Sequence, residues 1–229
     1  VVACLAARAI GADHVLGVAM PSRHSSPGSL TDAQALARAL GVRLETVSVE
    51  PAFAAYLSSL APVFGDRPQD LTEENLQARV RGMILMALSN KLGPMVLSTS
   101  NKSEAAVGYS TLYGDMCGGL APIGDVYKTK VYELTRVLNE AGPLIPEATI
   151  TKPPSAELRP DQKDEDSLPP YPVLDPLLEA HLEEGLDDHA LVARGFDAAT
   201  VARVTRLVRL SEYKRRQMPP ALKVTDKAF

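Results

Sequence analysis

The chain has 229 residues, 45% of them hydrophobic, enough to bury a sizeable core, and it has no apolar run long enough to span a bilayer. Its formal net charge of −4 gives no general pull toward nucleic acid. Cys4 and Cys117 lie far apart with no Cys-x-x-Cys partner, so neither a disulfide framework nor a zinc site is supported, and a reducing, cytoplasmic compartment is the simplest expectation.

Residues 1–10 read as an amphipathic helix closed by Gly11, and residues 14–19 as a buried strand. Because a compact domain rarely starts inside a helix, a strand and a connecting loop are expected upstream of Val1. Residues 31–40 follow as a helix, 44–49 as a strand and 53–60 as a short helix. This βα alternation predicts an α/β fold, a Rossmann-like parallel sheet with helices on both faces. Residues 73–90 read as a long helix with Leu76, Val80, Met83, Ile84 and Ala87 on its buried stripe. Arg79 lies one turn from Asn75, so both can address one ligand, whereas Arg81 points elsewhere. For an Arg on such a helix the alternative is a solvated surface position.

Residues 95–130 are the most informative part of the sequence. Residues 95–97 form a short apolar run expected to be a buried strand, and Ser98, Thr99, Ser100, Asn101 and Ser103 then crowd hydroxyls and an amide where the chain turns. Glu104 opens a helical Ala-Ala-Val run. In an open α/β sheet ligands sit outside the carboxyl ends of strands, where this cluster falls. The alternative is a helix cap, with Ser100 or Asn101 as N-cap and Ser103 or Glu104 near N3. Capping leaves unexplained the loop that follows, in which Tyr109, Ser110, Thr111 and Tyr113 precede Gly114-Asp115 and Gly118-Gly119. That density of hydrogen-bonding groups points to a polar ligand. Cys117 reads as a small buried residue rather than a nucleophile, since neither neighbour supplies a base.

Residues 152–166, KPPSAELRPDQKDED, are rich in proline and charge and show no apolar period, which makes them a long loop, either a mobile lid or a solvated connector. Helices are expected over residues 173–184, 187–194 and 197–211, the last with Val201, Val204, Leu207 and Val208 inward and Arg203, Arg206 and Arg209 in solvent. No internal repeat or targeting signal is visible.

Several runs carry a family resemblance: STSNKSE at 98–104, AVGYSTLYGD at 106–115, KPPSAEL at 152–158, TEENLQARVRG at 72–82, PDQKDEDSLPPYPVLD at 160–175 and EYKRRQMPP at 212–220. Together they resemble the synthetase domain of NAD synthetase, in particular its glutamine-dependent branch, over nearly all of the chain. Leu112 stands where the ammonia-dependent branch has Lys, and Tyr213-Lys214 where it has His-Lys, which favours the glutamine-dependent branch.

The resemblance implies an adenine nucleotide alpha hydrolase-like fold whose N-terminal strand and Ser-Gly-Gly-x-Asp-Ser pyrophosphate loop are missing from this sequence, and hence a fragment inactive on its own. It implies ATP-dependent amidation of deamido-NAD (nicotinic acid adenine dinucleotide) through an adenylate, with magnesium as the metal and ammonia supplied by an upstream glutaminase domain. Glu104 would be a catalytic residue and magnesium ligand, and Lys128 a catalytic residue facing the ATP phosphates. Met20, Thr99 and Ser155 would also bind ATP. Asn75, Arg79, Glu104, Tyr109, Ser110, Thr111, Leu112, Asp115 and Lys214 would frame deamido-NAD. The implied partners are these substrates and a second copy in a homo-oligomer, with no nucleic acid or membrane. The alternatives are a catalytically inactive nucleotide-binding or oligomerisation module of the same fold, and another ATP pyrophosphatase such as GMP synthetase.

Overall fold

The computed structural model describes residues 1–229. In chain order the elements are α1 (Val2–Ile10), β1 (Leu16–Ala19), α2 (Pro27–Leu40), β2 (Arg43–Thr46), α3 (Glu50–Phe64), α4 (Leu71–Leu92), α5 (Lys102–Val107), α6 (Lys128–Asn139), α7 (Glu147–Thr151), α8 (Tyr171–Leu182), α9 (Asp188–Ala193), α10 (Ala198–Leu210) and α11 (Glu212–Arg215). They divide into two compact units, one of residues 1–94 and 135–164, the other of residues 95–134 and 165–229.

In the first unit β1 and β2 pair in parallel, Leu16 opposite Arg43 and Ala19 opposite Thr46. A parallel pair needs a crossover, and α2 supplies it, packing on both strands. Helix α2 begins earlier than its apolar period indicates, because the Ser26 side chain accepts from the Ser29 amide and Pro27 occupies the first helical position. The expected strand over 14–19 is shorter than read, since residues Ala12–His14 form a 3₁₀ turn. The strand read over 44–49 ends at Thr46, and the helix read over 53–60 extends to Glu50–Phe64.

Helix α4 starts on a capping box in which Asp70 accepts from the Thr72 amide and Glu73 accepts from the Asp70 amide. Its buried face is Gln77, Ala78, Val80 and Gly82, whereas Met83 and Ala87 of the expected stripe are exposed. Residues 83–88 are apolar almost all round the helix, so sequence period alone cannot choose which side turns inward.

In the second unit the core is helical. Leu174, Leu177 and Leu178 of α8 are fully buried and pack with Val201, Val204 and Val208 of α10 and with Ala106 and Val107 of α5. Burying each large side chain stabilises the unit by about 1.5–3 kcal/mol. Helices α9 and α10 start on Asp187 and Asp197, each accepting an amide three residues on. Residues 95–97 do not form the buried strand expected of them: Leu97 makes only a single parallel bridge to Leu120, and Met95 is exposed. A second isolated bridge joins Ala121 to Ala221.

Candidate active site

The hydroxyl-rich turn before α5 is a cap and a candidate site at once. Asn101 is the N-cap, its side chain accepting from the Glu104 amide, and Glu104 Oε2 accepts in return from the Asn101 amide at 3.3 Å. The other carboxylate oxygen of Glu104 accepts from Lys128 Nζ at 2.9 Å. Both side chains keep slightly under a fifth of their surface in solvent, so this ion pair is reachable by a ligand. The residues between Asn101 and Glu104 face inward. Lys102 is fully buried, with its ammonium against Asp125 and Glu183, and Ser103 is fully buried and donates to Asp175.

The loop after α5 is set by Gly108, whose φ of +70° suits the left-handed helix end; a Cβ there would lie 2.1 Å from Ser211 Oγ. Lys214 of α11 donates to the carbonyl oxygens of Gly108 at 2.7 Å and Ser110 at 2.6 Å, clamping the start of the loop. The Thr111 amide donates to Asp115 Oδ1 at 2.8 Å, and Ser110 Oγ approaches Met116 Sδ at 3.2 Å. Tyr113 takes a positive φ of 63°, rare for an aromatic residue, and its hydroxyl donates to Gln217.

The Asp115 carboxyl is pushed up to about 6 by the desolvation that surrounding atoms impose, an effect the Thr111 amide opposes and the nearby Glu104 reinforces. Asp115 is nonetheless exposed, so the shift reflects crowding by neighbouring loop atoms and not removal from water. Burial likewise raises the Cys117 thiol, with Asp115 adding to it, in keeping with a packing residue and not a nucleophile.

The second unit therefore brings together Glu104, Lys128, Tyr109, Ser110, Thr111, Leu112, Asp115 and Lys214. Thr99 also belongs to this unit and is exposed. Met20, Asn75, Arg79 and Ser155 belong to the first unit. There Arg79 is exposed, and it is Arg81 that turns inward, donating to the Met20 carbonyl at 3.2 Å, with burial lowering its pKa. Ser155 Oγ accepts from the Glu157 amide, and Glu157 holds Lys152, Ser29 and the Ser26 amide. Gln77 donates to the Leu158 carbonyl and Gln162 to Glu74, so residues 152–166 have defined partners. Glu157 and Asp161 both take positive φ, a second concentration of backbone strain.

Sequence reading missed Arg81, Lys102, Asp125 and Asp175. A fully buried lysine leaves no periodic signal, because its neighbours on α5 are buried as well.

The parallel β-α-β unit, with α2 packed on both strands, belongs to an α/β protein of the adenine nucleotide alpha hydrolase-like class, the fold of the NAD and NMN synthetase structures it is similar to. The family model for NAD synthase matches residues 1–219, and the chain belongs to that family. It is 53% identical over 228 residues to the glutamine-dependent NAD(+) synthetase of Synechocystis sp., a match covering all of this chain and 41% of the relative. The glutamine-dependent NAD+ synthetase of Acinetobacter baumannii, solved in complex with adenosine diphosphate, is similar with a TM-score of 0.65 and 45% identity, covering 99% of this chain and 41% of that one. The NMN synthetase of Francisella tularensis is similar with a TM-score of 0.77 and 27% identity, over 97% of this chain and 83% of that one. The chain spans about two-fifths of the length of the curated relatives it matches.

Proposed function

We propose that this chain supplies the synthetase activity of a glutamine-dependent NAD synthetase, amidating deamido-NAD to NAD at the expense of ATP. A carboxylate is a poor acyl donor because its leaving group would be oxide. Attack of the nicotinate carboxylate oxygen on the α-phosphorus of ATP breaks the bond to the β-phosphate, releases pyrophosphate and creates an acyl-adenylate with AMP as leaving group. Ammonia, delivered from glutamine, then attacks the carbonyl carbon, loses a proton and expels AMP. No step needs a covalent enzyme intermediate, so the chain's task is positioning and charge stabilisation.

The observation that carries this reading is the Glu104–Lys128 pair, partly exposed beside the loop at 109–115. Lys128 is a cation suited to charge building up on transferring phosphates, and Lys214 and the Thr111 amide hold the loop that frames the dinucleotide. Magnesium fits Glu104 as a hard oxygen donor, and no cluster of three His, Cys, Asp or Glu side chains surrounds it. Glu104 would offer such an ion one hard carboxylate oxygen. When bound, magnesium neutralises phosphate charge. Met20 and Ser155 are assigned to ATP, and Asn75 and Arg79 to the dinucleotide.

The match to an NMN synthetase sets up the competing substrate, nicotinic acid mononucleotide. The intact protein, given ATP, glutamine and each acid in turn, is expected to release pyrophosphate and AMP in equal amounts with deamido-NAD. Preference for the mononucleotide, or for a purine nucleotide acceptor, would overturn the assignment.

A further inference from the structure

We propose that Tyr171 and Asp175, one turn apart on α8, are positioning residues that fix Lys128 for its work on the ATP phosphates; the proposal rests on the role given to Lys128 above.

Helix α6 begins at Lys128, and its first amides are satisfied from elsewhere in the second unit. Lys128 N donates to Ser103 Oγ at 2.9 Å, Thr129 N donates to Asp175 Oδ2 at 2.8 Å, and Ser103 Oγ donates to Asp175 Oδ1 at 2.6 Å. One carboxylate thus ties α5, α6 and α8 together at the residue that carries the ammonium. By contrast α2, α4, α5, α9 and α10 are each capped by the residue just ahead of them. At the other end of the Lys128 side chain, Nζ lies 5.3 Å from the centre of the Tyr171 ring. Tyr171 and Asp175 are both almost fully buried, and their spacing of four residues puts them on one face of α8.

The division of labour has a chemical reason. A second carboxylate near Nζ would compete with phosphate for the ammonium, whereas the face of an aromatic ring attracts the cation and leaves its charge intact. Asp175, meanwhile, has its charge engaged by a backbone amide and a hydroxyl at a helix N-terminus, where negative charge is favoured. When a ligand draws Glu104 away, the contacts on α8 still hold the lysine, a flexible side chain that otherwise samples many rotamers.

The test follows deamido-NAD-dependent pyrophosphate release by the intact protein. Asp175→Asn and Tyr171→Leu are each expected to lower kcat about 10- to 100-fold, with the KM for deamido-NAD within about twofold, and Tyr171→Phe to retain near-native kcat. In a Lys128→Met background neither Asp175→Asn nor Tyr171→Leu is expected to cause a further loss. Losses of equal size with and without Lys128, or a Tyr171→Phe as impaired as Tyr171→Leu, mean that α8 is merely structural and overturn the proposal. If Asp175→Asn does not accumulate as folded protein, Ser103→Ala, which leaves the Thr129 cap in place, is read by the same criterion. A silent Lys128→Met removes the phosphate role of Lys128 and this proposal with it. An impaired Lys128→Met beside a silent Asp175→Asn overturns the positioning alone.

Discussion

Lys102 and Asp125 form an ion pair of 2.9 Å in which neither side chain has any solvent exposure. Asp125 also accepts from the amides of Val224 and Thr225, and Lys102 makes a second pair with Glu183 at 3.0 Å. Burial by itself would raise the Asp125 pKa, but the bonds from Lys102, Val224 and Thr225 outweigh it and hold the carboxyl below its ordinary value. A depressed native pKa means stability that is present above the usual carboxylate range and lost as pH falls through the native pKa.

Lys102→Met is therefore expected to cost about 3–5 kcal/mol, because it leaves buried carboxylates uncompensated. Urea denaturation at neutral pH measures it, and a loss smaller than that of an ordinary surface substitution would show that the cluster is not a structural tie.

Asp115 should give the pH profile its acid limb. With its pKa raised to about 6, the log of kcat/KM for deamido-NAD should bend near that pH, and Asp115→Asn should remove the bend. The stability effect has the opposite sign to that of Asp125. Between the ordinary carboxylate range and about 6 the native state binds the proton more tightly, so this carboxyl costs stability as pH rises through that window. Thermal melts of native and Asp115→Asn protein should accordingly diverge in favour of the variant above pH 6. Parallel melts at all pH values would contradict the shifted carboxyl.

Glu104→Gln keeps an acceptor for the Asn101 amide and so should leave folding almost untouched. It removes the charge that pairs with Lys128, and adenylation should slow by about 100-fold while deamido-NAD binding changes little. Rapid-quench measurement of pyrophosphate release decides this; a normal rate at saturating magnesium removes Glu104 from the chemistry.

Residues 152–166 should behave as a lid. Their ties are mostly polar and near the surface, and ordering backbone costs roughly 1–2 kcal/mol per residue with little apolar packing in return. Amide hydrogen exchange in the intact protein should be fast without ligands and slow with ATP and deamido-NAD together, as closure excludes water from the adenylate. Equal, strong protection in both states identifies a fixed connector.

Much of this architecture could be read from the sequence where local chemistry acts alone. Asp197 followed by Val201, Val204 and Val208 specifies both the start and the inward face of α10, and the turn at 98–104 reads as a helix cap, with the structure choosing Asn101 over Ser100 and Glu104 over Ser103. The reading failed where tertiary contacts decide. Residues 95–97 have strand composition yet gain only a bridge at Leu97, because pairing needs a neighbour that no local pattern reveals. Arg81 and Arg79 differ by two positions, and only packing of α4 shows that the former turns to Met20. The Glu104–Lys128 pair was expected as two separate roles, and the fold is what joins them across 24 residues.

The borrowed cap of α6 also bears on how the chain keeps its chemistry. The hydroxyl and carboxylate that satisfy its first amides lie 25 and 46 residues away, so those two amides gain their partners only when α5 and α8 are docked beside α6. Helices that carry their own caps can form without waiting for such partners. Lys128 is thus held in place only by helices packed together, and loosening their docking would free the cation on which the proposed adenylation depends before any helix itself unwinds.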